Sequence, residues 1–267
     1  MISKIADKYT LAFSFIVTLI IMIVFVASMF LLAGIFNVDL TNIEYNFSFY
    51  AVSILGKIIF CAFIIIVLFI IKMQYVMKLT SKGLLNGIVL GWFFILLGII
   101  LFVVDFDFAK INAIEPGKWL LLIPIAVETI LTGISEEFLC RGFLYNVMHN
   151  RYKNIKKAVF ASSAIFGVIH LINLIHQPIH ETLMQVAYAF AFGVLLNAIY
   201  IRCENIWVAV SIHALFNFFS AAGAALTPSE TIAEAFDIIS TIPIFIILIF
   251  AICLGMFLLR TKKMRLS

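Results

Sequence analysis

Glu136 and Glu137 stand side by side with Arg141 four residues after Glu137; His170 follows, and His213 and Asn217 are again four apart. A carboxylate withdrawn from bulk water and set near a histidine is a general base for activating water. An imidazole and a carboxamide on one helical face are two donors suited to holding an oxyanion as it forms on an attacked carbonyl. The chemistry these groups offer together is hydrolysis, with Glu136 as base and His170 sharing its water. Glu137 and Arg141, one helical turn apart, are placed to pair and so offset the penalty of carrying two charges into an apolar segment. Glu136 lies about 100° round the helix from Glu137 and faces a different neighbour.

The elements that must position these groups are apolar throughout. Of 267 residues, 64% are hydrophobic and 12% charged, with a mean hydropathy of +1.18, against roughly 25% charged usage in soluble domains. Soluble, secreted, disordered and nucleic-acid-binding classes are excluded; no nucleic acid partner is expected. Cys61, Cys140, Cys203 and Cys253 show no metal or disulfide spacing and read as small buried hydrophobes. The abundant phenylalanines read as lipid-facing or packing surface.

A helix needs about 20 apolar residues to cross a bilayer, and eight stretches qualify: 11–36, 49–71, 84–104, 119–145, 158–175, 183–201, 206–226 and 241–259. The expectation is an all-α polytopic membrane bundle. Its parts are three N-terminal spans (1–118), a four-span core (119–226), and a C-terminal helix with a basic tail (227–267). The first stretch exceeds the apolar run of a signal peptide and reads as a retained anchor. Lys4, Lys8, Lys72, Lys78, Lys82, Arg151, Lys153, Lys156, Lys157, Arg202, Arg260, Lys262, Lys263 and Arg265 all fall on one side of an even set of spans. The opposite connections hold only Lys110 and Lys118. By the positive-inside rule both termini are cytoplasmic.

An ionisable group inside a span costs at least about 2.5 kcal/mol, so each needs a polar surrounding or a purpose. With a rise of about 1.5 Å per residue, Glu136 lies about 18 Å below the basic surface, His170 about 19 Å, His213 about 10 Å and Asn217 about 16 Å. Three spans thus bring a carboxylate, two imidazoles and an amide to one layer. Singly, each would read as interhelical hydrogen bonding; their convergence points to a site. Lys57 and Glu128, also in spans, are expected to pair with each other or snorkel, without chemistry. His149, His176 and His180 read as solvated loop residues.

The stretches Glu136-Glu137-Phe138-Leu139-Cys140-Arg141-Gly142, Phe166-Gly167-Val168-Ile169-His170 and His213-Ala214-Leu215-Phe216-Asn217 resemble the three motifs of the CPBP family of intramembrane proteases, without departure. That family unites type II CAAX prenyl endopeptidases with bacterial Abi-like proteins of bacteriocin processing and self-immunity. The resemblance covers roughly residues 119 to 226. It implies an intramembrane endopeptidase acting on a membrane-associated peptide or protein. Glu136 and His170 would activate water, His213 and Asn217 would hold the oxyanion, and Glu137 and Arg141 would keep the site in shape. The family is traditionally labelled metalloprotease. Glu136, His170 and His213 could supply the three protein ligands of a catalytic zinc; metal-independent water activation is the favoured expectation.

Two other classes stand beside the protease. Buried Glu and His also build proton relays in transporters and channels, although no inverted repeat or pair of broken spans is found. A non-catalytic immunity protein would bind its partner in the bilayer without needing Glu136. Abundant Ile, Lys, Asn and Phe point to an AT-rich bacterial genome, and so to a multi-pass protein of the bacterial cytoplasmic membrane.

Overall fold

A computed structural model describes residues 9–40, 46–175, 177–226 and 238–260. Among the described residues there is no strand; the chain is a helical bundle whose helices, by length and composition, supply seven or eight membrane crossings. In chain order these are α1 (Thr10–Phe36), α2 (Phe47–Ile70), α3 (Leu84–Leu90), α4 (Trp92–Asp105), α5 (Pro116–Trp119), α6 (Leu122–Glu137), α7 (Asn146–Tyr152), α8 (Ile155–Ile169), α9 (Ile179–Cys203), α10 (Ile206–Leu226) and α11 (Ile238–Arg260). Apolar side chains remain exposed along the outer faces, Leu31, Val104, Ile123 and Ile246 among them, as a lipid-facing surface requires. Cys61, Cys140 and Cys203 are buried as expected, but Cys253 is exposed, because it lies on an outward face of the peripheral helix α11.

Three expected spans are interrupted, each for a local reason. The stretch 84–104 breaks into α3 and α4, bent by 57°. Gly87 and Gly91 let α3 lie directly on α10: a Cβ at either would meet the side chain of Val208 or Ile212, the close approach that small residues four apart permit. The stretch 119–145 continues to Tyr152 and contains an eight-residue π-helical segment, Phe138–Tyr145, between α6 and α7. The Asn146 side-chain amide donates to the carbonyls of Arg141 at 2.6 Å and Gly142 at 3.1 Å within that segment. The last stretch of the fifth span, His170–Ile175, is a 3-10 helix, so His170 sits where α8 ends.

Turns are set by individual side chains. Lys153 takes the left-handed conformation that ends α7, and the Asn154 side chain then accepts from the Lys157 amide to start α8. Glu204 ends α9 in the same conformation. Asn205 accepts from the Trp207 amide and donates to the carbonyls of Thr80 and Lys82, tying the α9–α10 turn to the segment before α3.

Packing follows from these turns. Helix α6 lies between α2 and α10, α10 also packs on α4, and α9 packs on α8 and α11. The α6–α10 contact depends on Gly133, whose Cβ would lie 2.9 Å from the Val210 carbonyl and 3.4 Å from the Ala214 Cβ. Gly133→Ala is therefore expected to destabilise by about 1–3 kcal/mol through overpacking, read as a lowered midpoint of thermal unfolding in detergent. A midpoint at or above wild type would show that the two helices yield freely there.

His149 is not a loop residue but lies in α7, half-buried and stacked on Tyr145 at 5.6 Å. His180 lies in the first turn of α9, exposed, with Nε2 3.9 Å from the Glu181 carboxylate. His176 and the terminal basic residues Lys4, Lys8, Lys262, Lys263 and Arg265 lie outside the described residues.

Candidate functional site

Glu136 and Glu137 end α6, and the turn between them sends their carboxylates to different places. Glu137 is fully buried; its Oε1 accepts from Arg141 Nη1 at 2.9 Å and from His213 Nδ1 at 2.7 Å. Arg141, equally buried, reaches from the π segment and also donates from Nη2 to the Gly193 carbonyl of α9 at 3.0 Å. The pair expected from the i,i+4 spacing is formed, and it has a third member: one carboxylate oxygen ties α6, the π segment and α10 together.

Glu136 faces a cavity of about 790 Å³. Its Oε1 lies 3.6 Å from Lys57 Nζ on α2, and its Oε2 lies 3.9 Å from His213 Nε2. The carboxylate is thus held between a cation on one oxygen and an imidazole on the other, with each side chain less than a fifth exposed. His170, His213 and Asn217 line the same cavity, so all four residues expected from the sequence to do chemistry meet around one space. They reach it from α6, the end of α8 and α10.

Each imidazole has one nitrogen committed. His213 Nδ1 faces a carboxylate, and His170 Nδ1 faces the Phe166 carbonyl one turn back at 2.8 Å. Both acceptors require a proton on Nδ1, which leaves Nε2 of each ring as the nitrogen available to a reacting group. Phe166 also contributes its ring, which packs edge-on against His170, centroids 5.0 Å apart, and lies under the Arg141 guanidinium at 5.7 Å. That accounts for a phenylalanine four residues before the histidine.

Lys57 and Glu128 do not pair. Glu128 accepts from Ser53 Oγ at 3.1 Å and Thr132 Oγ1 at 3.0 Å, while Lys57 belongs to Glu136 and lies over the Phe25 ring at 5.3 Å. The reason is depth. Lys57 is 13 residues, about 20 Å, from the end of α2 at Ile70, level with Glu136, whereas Glu128 is two helical turns away. The depth rule that gathers the other groups is sufficient to place Lys57 among them. Asn173, which donates to Gln185 at 2.6 Å, and Tyr188 also line the cavity and carry no sequence signal.

Zinc finds no ready cage here. Among the described residues no group of three or more His, Cys, Asp or Glu side chains is placed to hold a metal ion, and one oxygen of Glu136 faces an ammonium. The donors as arranged do not fit a three-ligand zinc site, whose bonds run near 2.0–2.2 Å.

The family model described as type II CAAX prenyl endopeptidase Rce1-like matches residues 118–219, a segment that contains all three motifs. The resemblance to that family is therefore upheld over the part of the chain that carries the cavity's acid, imidazole and amide groups. In Bacillus subtilis (strain 168), the protein named "Putative membrane peptidase YdiL" is 30% identical over 95 residues, 36% of this chain. That stretch spans about a third of the relative's own length, 34%. No solved structure matches.

Proposed function

We propose that this protein is an intramembrane endopeptidase that hydrolyses a peptide bond in a membrane-associated peptide or protein, in a bacterial cytoplasmic membrane with both termini on the cytoplasmic side. The observation that carries the reading is the Glu136 carboxylate, held between Lys57 and His213 on the wall of a cavity shared with His170 and Asn217. The match to a family of CAAX-type proteases over the same segment supports it.

The steps follow from the atoms that face the cavity. Glu136 accepts a proton from water as the water oxygen bonds to the peptide carbonyl carbon, and the carbonyl electron pair moves onto its oxygen. His170 Nε2 orients that water. Asn217 and the Nε2 of a doubly protonated His213 donate to the oxyanion. Collapse of the tetrahedral intermediate expels the amine, which takes the proton from Glu136, so the site returns to its starting state. Glu137 and Arg141 touch no substrate; Arg141 holds Glu137, whose carboxylate fixes the orientation of the His213 ring and stabilises its imidazolium, the part a buried carboxylate plays in a serine protease triad. The apolar walls, Phe94, Leu97 and Phe216 among them, suit a hydrophobic peptide segment.

The test is direct. Purified protein in lipid nanodiscs is given a library of membrane-spanning and membrane-anchored peptides, and new termini are sought by mass spectrometry. Discrete cleavage products are expected; none from any peptide, while ion or solute flux appears in sealed vesicles, would establish a transporter instead.

A further inference from the structure

We propose that Lys57 is a further catalytic residue, whose ammonium pairs with Glu136 in the resting site and with the substrate oxyanion in the transition state. The inference rests on the endopeptidase reading and deepens it.

Three observations carry it. First, Lys57 is the one Lys or Arg among the described residues that line the cavity. Arg141, the other cation of the cluster, is sealed away between Glu137 and the Gly193 carbonyl. Second, Lys57 Nζ lies 3.6 Å from a carboxylate oxygen whose charge the reaction removes. Third, His213 has spent one of its two nitrogens on Glu137, so even when doubly protonated it has a single N–H, on Nε2, to offer an oxyanion, and Asn217 supplies a neutral donor beside it.

Charge moves during the reaction in a way that such a cation can follow. When water attacks, its proton goes to Glu136, which becomes neutral, and the carbonyl π pair becomes the negative charge of the oxyanion. One negative charge has moved across the attacking water, a few ångströms in all. A cation paired with Glu136 loses its partner at the moment a new anion forms within reach of the same flexible side chain. Lysine is suited to this role, because an ammonium has three donors on a four-carbon stem and the site around it is fixed. When the intermediate collapses, the charge returns to Glu136 as the leaving amine takes the proton, and Lys57 returns with it. Positive groups aimed at developing negative charge inside a water-poor site are among the largest contributors to catalysis. Lys57 comes from α2, outside the 118–219 segment that matches the family, so this role is a property of the whole chain.

Kinetics in nanodiscs with a peptide that the wild type cleaves test the role. Lys57→Met and Lys57→Gln are expected to lower kcat by about 10²- to 10³-fold, the loss on removing an oxyanion partner, with KM little changed. Lys57→Arg should recover much of the loss, and a small alkylammonium ion added to Lys57→Ala should raise its kcat saturably. Lys57→Gln keeps a neutral donor toward Glu136, so it guards against loss of fold, which gel filtration and thermal unfolding report. If both neutral variants keep kcat near wild type, or if neither Lys57→Arg nor added amine restores it, the role is overturned. Wild-type cleavage that Glu136→Gln abolishes and Lys57→Met leaves intact overturns the Lys57 role alone; absence of wild-type cleavage overturns the endopeptidase reading and the Lys57 role with it.

Discussion

Glu136→Gln is expected to leave a folded protein that cleaves its substrate about 10⁴-fold more slowly, the upper range for loss of a general base. The amide has the shape of the carboxylate and still offers a hydrogen-bonding oxygen to Lys57 or His213, so the cavity wall keeps its outline. It lacks the anionic lone pair that receives the proton of water. The two nearby glutamates on the same helix are engaged elsewhere: Glu137 is buried on the far side of His213 with its Oε1 doubly engaged, and Glu128 is bonded to Ser53 and Thr132. The loss should appear in kcat, with KM little affected, because Glu136 acts on water and makes no claim on the bound peptide. Rates are compared in nanodiscs after checking that the variant elutes and unfolds as the wild type does. Undiminished turnover would remove Glu136 as the base.

Arg141→Leu is expected to destabilise the protein by about 3–5 kcal/mol, since it strands the Glu137 charge in a site with no solvent access. The double variant Glu137→Leu/Arg141→Leu should recover most of that stability. Glu137 Oε2 and Arg141 Nε are buried without hydrogen-bond partners, so the pair is incompletely satisfied, and well-packed apolar replacements of such pairs are often neutral. Yet the double variant should be inactive although stable, because His213 loses the Glu137 carboxylate that holds its ring in place. Denaturant unfolding in micelles and peptide cleavage, measured side by side, separate the two effects. A single variant within about 1 kcal/mol of wild type would mean that Glu137 is not held as a charge by Arg141.

The helices that carry Glu136, His170, His213 and Asn217 are legible in the sequence because a membrane span leaves few freedoms: hydropathy fixes its limits, and the rise per residue fixes depth. The i,i+4 spacings of Glu137 with Arg141 and of His213 with Asn217 need nothing beyond one helix. What lies out of reach is rotation of one helix against another. Nothing local to His213 shows that its Nδ1 meets Glu137 rather than substrate, since that depends on Gly133 admitting α10 against α6. Lys57 escapes for a different reason: opposite charge makes Glu128 an attractive partner on the sequence alone, whereas depth, the stronger constraint, favours Glu136. The bend at Gly91 and the early end of α8 at His170 are hidden because hydropathy averages over the backbone irregularities that lie inside a crossing.

The π segment after Glu137 has an effect on the whole span. A π turn holds one residue more than an α turn, and one additional residue rotates everything beyond it by about 100° about the axis. The segment therefore acts as a phase shifter: upstream of Phe138 the span turns toward α2 and α10, and downstream of Tyr145 toward α1 and α8. A single crossing can in this way address two sets of neighbours that no uniform stripe of side chains would serve together.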